Sequence, residues 1–363
     1  MSIRLFFNHH PLFVGVLLTP LLVVLRWLYP EAETAQFVVS LLAIVPLAAV
    51  MSHATEQVAK TMGNAAGGLL TATMGNMTEL IIGLTALHAG MFDLVKSAIA
   101  GAVISNVLFT LGLAFLVGGS RHHLQPLNLE FVHVEAALLL LATIALLIPS
   151  ALHNFQDVDI ASAIHPVSFS LSVILILVYF FGLLFTLVTH PEIFESRSNP
   201  PPREYNGWSL ATSLALLLVS VIAISWVSDV FVESLTVAAH AMALSPAFIG
   251  FVLVALAGGA AEMYSAVHAA ASNRPALTVS IALGSSTQIS LFVAPVLVLL
   301  SYWIAPVPMD LHFSPAAVMM ILLSTIAINT ILSSKNTSWY TGVLLLSTYT
   351  IFAITLYLVP MAG

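Results

Sequence analysis

The chain has 363 residues, 60% of them hydrophobic, and only 7% charged: 9 Lys and Arg plus 16 Asp and Glu. Soluble globular domains carry roughly a quarter charged residues, so a soluble enzyme or nucleic-acid binder is excluded, and a net charge of −7 with no Lys/Arg cluster separately excludes a phosphate-backbone partner. The absence of Cys removes disulfides, iron–sulfur clusters and thiolate metal sites together.

What remains is an all-α polytopic membrane protein embedded in a lipid bilayer. A bilayer core needs about 20 apolar residues per helix. Cutting where Pro, Gly, Asn or charge interrupts such runs predicts spans at 11–29, 35–58, 69–87, 94–117, 129–149, 166–189, 208–231, 246–271, 276–304, 315–332 and 339–359, eleven helices in all. The runs are continuously apolar rather than alternating, which argues against a β-barrel. Arg4 precedes the first run, but that run is longer than a signal-peptide core and lacks a small-residue cleavage site, so it is kept as a span. The clear linker is 191–207, with Pro200, Pro201 and Pro202 in it.

Basic residues test this count. Arg4, Lys60, Arg121, Arg197, Arg203, Arg274 and Lys335 fall on the N-terminal side, and only Arg26 and Lys96 on the other. The N-terminus is therefore expected in the cytoplasm and the C-terminus opposite. The short leader without a soluble domain fits a prokaryotic inner membrane.

Self-similarity pairs Thr73-Met-Gly-Asn-Met-Thr-Glu79 with Leu256-Ala-Gly-Gly-Ala-Ala-Glu262, an offset of 262 − 79 = 183 that also carries Gly101 to Gly284, Leu108 to Leu291 and Phe109 to Phe292. The expected organisation is an N-terminal helix outside the repeat (1–30), a first five-helix repeat (31–190), a cytoplasmic linker (191–207) and a second five-helix repeat (208–363). An odd number of helices per repeat turns the second copy upside down, and inverted repeats with Gly-interrupted helices point to a secondary transporter with its site at the midplane.

Glu79 and Glu262 lie inside apolar spans, where an acidic residue costs about 3 kcal/mol. One buried Glu is readily a structural group; two at symmetric positions, each four residues after Gly75 or Gly258, favour function. The 3.6 periodicity puts Thr71, Gly75, Thr78 and Glu79 on one helix face with Asn76 beside it. Gly75, Gly258 and Gly259 permit close helix approach and can free backbone carbonyls. The matching stretches 101–106 and 284–288 add Ser105, Asn106, Ser285 and Gln288. Carboxylate, amide, hydroxyl and carbonyl oxygens form the ligand set of Ca²⁺, whereas Zn²⁺ or Cu⁺ would want Cys or convergent His. Two carboxylates in a low-dielectric site cannot both stay ionised without a cation. Ca²⁺ displaces protons there and protons displace Ca²⁺, which makes exchange obligatory, with Ca²⁺ as the substrate, H⁺ as the counter-ion and no resident cofactor.

The segments Gly75-Asn-Met-Thr-Glu-Leu-Ile81 and Gly284-Ser-Ser-Thr-Gln-Ile-Ser-Leu-Phe-Val293 resemble the two signature repeats of the Ca²⁺/H⁺ antiporter (cation/proton exchanger) family, within the Ca²⁺/cation antiporter superfamily. The likeness extends through His53–Leu70, Thr189-His190, Phe248-Ile-Gly250 and Ser338-Trp339. It implies eleven helices, an inverted five-helix repeat and two signature glutamates alternately binding Ca²⁺ or protons, which map onto Glu79 and Glu262. By the same matching Asn76 and Gln288 occupy signature positions, and Glu56 an acidic position before the first signature. The second signature departs from the family pattern: Gly-Asn-Ala-Ala-Glu-His becomes Gly258-Gly259-Ala-Ala-Glu262-Met263, so an amide and a His are missing.

The remaining acids are read by position. Glu56 and Glu233, near span ends on opposite faces, are either acidic vestibules that gather cations or solvated helix ends. Glu130 and Glu135 are expected at the interface. Glu192, Glu195 and Glu204 match no EF-hand spacing and are expected to be plain linker. No His-Glu-x-x-His or other catalytic spacing occurs, so the chain is not expected to be an enzyme. Na⁺-coupled or Na⁺-transporting antiport stays open, and a cation channel is the further alternative.

Overall fold

In the structure, a computed structural model, the described residues are 15–62, 64–127, 129–152, 158–190 and 208–358. The expectations for the leader with Arg4, for the start of the first span, and for the linker with Arg197, Arg203, Glu192, Glu195 and Glu204 lie outside them.

Without water the backbone must satisfy itself, so the apolar runs become helices, and the sequence marks several starts. Ser245-Pro246 and Ser314-Pro315 each set a capping hydroxyl before a proline whose φ already suits a helix: Ser245 Oγ accepts from Phe248 N at 3.1 Å and Ser314 Oγ from Ala317 N at 3.3 Å. In chain order the helices are α1 (Leu18–Leu28), α2 (Glu33–Ala59), α3 (Asn64–Met74), α4 (Met77–His88), α5 (Phe92–His122), α6 (Leu129–Leu152), α7 (Val158–Leu184, continued by a π-helical turn Phe185–Thr189), α8 (Leu210–Met242), α9 (Pro246–Gly258), α10 (Ala260–Ala271), α11 (Pro275–Ile304), α12 (Pro315–Leu332) and α13 (Trp339–Leu358).

Each apolar run expected from sequence coincides with helix over most of its described length, with breaks at Gly75–Asn76 and at Gly259. Among the described residues eight helices are long and apolar enough to cross a membrane, or nine if α9 and α10, bent by 56°, are one span. That is fewer than eleven because α4 and the described part of the first run are short, and the third run is two helices, α3 and α4, rather than one. Several expected ends move. α5 runs on past 117 to His122 and α8 past 231 to Met242, while α6 continues past Pro149 to Leu152 and α7 starts at Val158, ahead of Pro166; a proline removes one donor, and neighbouring helices in a membrane protein compensate for that loss.

Element boundaries recur at the offset of 183. It carries Ala59 to Met242, Met77 to Ala260, His88 to Ala271 and Phe92 to Pro275, the ends of α2 and α8 and the bounds of α4 and α10, α5 and α11. It also carries a π-helical turn in α5 (Ser105–Thr110) onto one in α11 (Ile289–Val293). Such turns insert one residue into the helical ladder and concentrate at functional sites.

α2 and α8 pack along each other, with Phe37 stacked on Phe231 at 5.1 Å between ring centroids. α5 and α11 run through the interior, flanked by α9, α10, α6, α7 and α13. Gly250 lets α9 meet α5 backbone to backbone, since a Cβ there would lie 2.8 Å from Leu94 O. Exposed Phe180, Phe181, Leu218 and Ile222 turn outward from α7 and α8, the lipid-facing surface of a protein whose outside solvent is hydrocarbon.

The connections gather at two ends. At one, a short antiparallel pair (β1, Gln125–Pro126; β2, Asn336–Thr337) joins the segments that carry Arg121 and Lys335, and Gln125 Nε2 donates to Ala270 O at 3.0 Å and to Asn273 Oδ1 at 3.1 Å, beside Arg274. At the other, Lys96 Nζ donates to Asp310 Oδ1 at 2.5 Å, and the backbone N–H groups of Met309, Leu311 and Phe313 donate to the hydroxyls of Ser301, Ser168 and Ser150. Basic residues assigned to one face by sequence are thus brought together by the fold.

Candidate ion-binding site

The two helix breaks position the site. α3 ends at Met74 and α4 starts after Asn76; α9 ends at Gly258 and α10 starts after Gly259. Each break points the N-terminus of a half-helix, with its unpaired N–H groups and partial positive charge, at the residue three positions after the cap, Glu79 or Glu262. The last turn of the preceding half-helix carries carbonyls without a full set of partners in their own helix; in α3 one of them, Ala72 O, accepts from the Tyr179 hydroxyl at 3.2 Å. The break also separates Thr71 from Thr78 and Glu79: the single helix face expected for them does not form, because the 3.6 periodicity is interrupted between.

The breaks face one another. A Cβ on Gly258 would stand 3.1 Å from Glu79 Oε1, so glycine is what lets the first carboxylate lie against the second break. The Glu79 and Glu262 carboxyls interact electrostatically, and each has one buried oxygen, Oε2, with no hydrogen-bond partner. Glu79 also borders a cavity of about 20 Å³, room for about one water, walled by Ile82, Val95, Ile99, Val254 and Leu297.

Around the carboxyls runs a chain of neutral polar groups. Asn76 Nδ2 donates to Gln288 Oε1 at 2.5 Å, Ser285 Oγ to Asn76 Oδ1 at 3.4 Å, Asn106 Nδ2 to Ser285 Oγ at 2.9 Å and Thr110 Oγ1 to Asn106 Oδ1 at 3.4 Å. The network ties the first break to the π-helical region of α5 and to α11. Gly259 adjoins it, its would-be Cβ 3.4 Å from Asn106 Oδ1. Asn106 thus stands beside the position where the family signature carries its own amide.

Of the residues singled out from sequence, Glu79, Glu262, Asn76, Gly258, Gly259, Asn106, Ser285 and Gln288 come together here. Gly75 closes α3, its N–H donating to Thr71 O at 2.8 Å. Ser105 is buried but donates back to Ala102 O at 3.2 Å, within its own helix. Glu56 and Glu233 lie elsewhere: Glu56 is exposed with His53 and Lys60 at 4.0 Å, and Glu233 pairs with Arg26 of α1 at 2.7 Å. Among the described residues no group of three or more His, Asp or Glu could hold a metal ion, so a cation here relies on two carboxylates and neutral oxygens. Thr110 was not singled out. Glu135 corrects an expectation: it is buried, 9% exposed, rather than interfacial. Its signal was its register, since it shares a face with Val132, Ala136 and Leu139.

Comparison with known proteins agrees with this architecture. The family model for the sodium/calcium exchanger protein matches residues 32–188 and 212–358. A Ca²⁺/H⁺ antiporter of Aphanothece halophytica is 36% identical over 98% of this chain and 98% of its own, and one of Synechocystis sp. is 36% identical over 94% and 95%. The structure of native YfkE superposes with a TM-score of 0.81 at 31% identity, covering 95% of this chain and 98% of that one. The chain belongs to the sodium/calcium exchanger protein family, in its Ca²⁺/H⁺ antiporter branch.

Proposed function

We propose that this protein is a secondary active transporter that exchanges Ca²⁺ for H⁺ by alternating access, with Glu79 and Glu262 binding either one Ca²⁺ or protons. The observation that carries this reading is the pair of carboxyls, each at a broken helix and each with one buried, unpartnered oxygen. A buried acceptor left unpaired costs about 1–3 kcal/mol, more if charged, and a proton or a divalent cation removes that cost. The carriers therefore cross the membrane neutralised in one of two ways, and the bare dianion does not move. Asn76, Asn106, Ser285 and Gln288 orient the site and add neutral oxygens suited to a hard cation.

The repeating element boundaries support two five-helix halves related by inversion around this site. The shared end of Arg121, Arg274 and Lys335 supports a cytoplasmic N-terminus, with the C-terminus opposite, and the likeness to the Ca²⁺/H⁺ antiporters of Aphanothece halophytica and Synechocystis sp. supports a prokaryotic inner membrane. A Cys placed at Lys335 that reacts with an external, impermeant reagent would overturn that orientation; the chain's lack of Cys makes the scan clean.

The function is tested by ⁴⁵Ca²⁺ uptake into proteoliposomes under an imposed pH gradient, with and without a Na⁺ gradient. Uptake driven by the pH gradient alone is expected. Uptake that requires Na⁺ would replace H⁺ by Na⁺ as the counter-ion, the reading that Gly259 and Met263 leave open. Saturating current without proton movement would indicate a channel.

A further inference from the structure

Among the described residues the exchange mechanism leaves one buried acid unused. Glu135 of α6 faces the Thr287 hydroxyl of α11, yet Glu135 Oε2 and Thr287 Oγ1 are both buried and neither takes part in an aligned hydrogen bond. α6 packs against α7, α11 and α12. α12 carries no titratable residue. The one in α11 is Tyr302, exposed and 15 positions beyond Thr287. Among the described side chains of α7 they are His165, which is exposed, and Tyr179, whose hydroxyl donates to Ala72 O at 3.2 Å. His133 on α6 is exposed, as is Lys335, whose carbonyl accepts from Leu127 N at the foot of α6. No described cation on these elements accompanies the Glu135 carboxyl.

We propose that Glu135 and Thr287 form a second proton-binding station, separate from the Glu79/Glu262 pair and linked to it through α11. An isolated carboxylate with no cation in an apolar interior is strongly disfavoured. A proton on Oε2 makes it a donor to Thr287 Oγ1 and satisfies both orphaned atoms at once. When the proton leaves, the hydroxyl turns and donates to the carboxylate. Either state holds one hydrogen bond, so the proton can come and go without unpairing the site. Thr287 lies about 100° round α11 from Gln288 and about 200° from Ser285; those two hold Asn76 and Asn106 on the other side of the helix. Loading Glu135 therefore biases how α11 seats against the exchange site.

That link rests on the exchange reading; the proton station itself does not, and the two are tested separately. Infrared spectra of the reconstituted protein, titrated with pH, are expected to contain a carboxylic-acid C=O band that Glu135→Gln removes while the bands of Glu79 and Glu262 persist. Thr287→Val is expected to shift that band and Thr287→Ser to restore it, a readout that stands even if Glu135→Gln fails to fold. In proteoliposomes Glu135→Gln is expected to keep Ca²⁺ uptake but move its pH profile by about half a unit or more, a threefold change in proton affinity. A band present without any pH-driven uptake would overturn the exchange reading alone. A spectrum unchanged by Glu135→Gln, or a band unmoved by Thr287→Val, would overturn the station, and an unmoved pH profile would overturn its link to exchange.

Discussion

Asn76 donates to Gln288 at 2.5 Å across 212 positions of sequence, and this bond joins the first helix break to the interior helix of the second half. If both amides serve one site, their contributions are not independent. A double-mutant cycle on Asn76→Ala and Gln288→Ala is expected to give a coupling of about 1 kcal/mol, so the double variant raises half-saturation for Ca²⁺ about fivefold less than the product of the two singles. Additive effects would show that the amides act separately.

Glu79→Gln and Glu262→Gln should each reduce pH-driven Ca²⁺ uptake at least about a hundredfold, because one neutral amide leaves a single carboxylate to balance a divalent ion in a low-dielectric site. Both variants should elute as the wild type in size-exclusion chromatography, since removing a buried charge relieves rather than disturbs the fold. Substantial proton-dependent flux in either variant is the result that would remove these residues from the mechanism.

The two glycines of the second break should respond differently. A Cβ on Gly258 would come within 3.1 Å of Glu79 Oε1, so Gly258→Ala must push the carboxyl aside and is expected to lower uptake about tenfold or more. At Gly259 the nearest atoms are 3.3–3.4 Å away and φ is −78°, which an L-residue adopts without strain, so Gly259→Ala should change uptake by less than about twofold. Side-by-side initial rates at saturating Ca²⁺ check the contrast.

The Lys96–Asp310 pair predicts a pH dependence of stability. Burial alone would raise the Asp310 carboxyl, but the Lys96 ammonium, its hydrogen bond, the His312 N–H and the His312 charge together hold it below the ordinary carboxylate value. A depressed value in the folded state means that the stabilisation is fully present above the unfolded Asp value of about 3.9 and is lost as pH falls below it. Lys96→Met should therefore cost about 2 kcal/mol between pH 5 and 8, between a surface pair and a fully buried one, with the gap closing only in more acidic solution. Thermal unfolding in detergent at several pH values measures this.

The Arg26–Glu233 pair is the control. Its side chains are 40% and 63% exposed, so Glu233→Gln should shift stability by less than about 1 kcal/mol. If Glu233 gathers cations, the same change should raise half-saturation at low ionic strength and not at high, where the field is screened.

Much of this was legible in the chain because it lies in periodicity and repetition. Glu79 and Glu262 stand out as charges inside apolar runs, and the offset of 183 locates the second break from the first. Asn106 and Ser285 could be placed near the site, since they sit in the paired stretches. Ser105, equally eligible by spacing, donates within its own helix; which rotamer a serine adopts depends on neighbours that sequence does not name.

Composition and hydropathy by themselves determined a membrane protein of repeated helices, because a hydrocarbon solvent leaves the backbone no choice but to satisfy itself in helices. They also singled out the two glutamates, whose cost in that solvent makes them conspicuous. Only the tertiary structure decided what meets what. It set Gly258 against Glu79, hydrogen-bonded Asn76 to Gln288, and paired Glu233 with Arg26. It also buried Glu135 against Thr287, although its position near a predicted helix end pointed to the interface. Side-chain partners across the bundle follow from helix rotation and depth, and a one-dimensional pattern specifies which faces are apolar but not which faces touch.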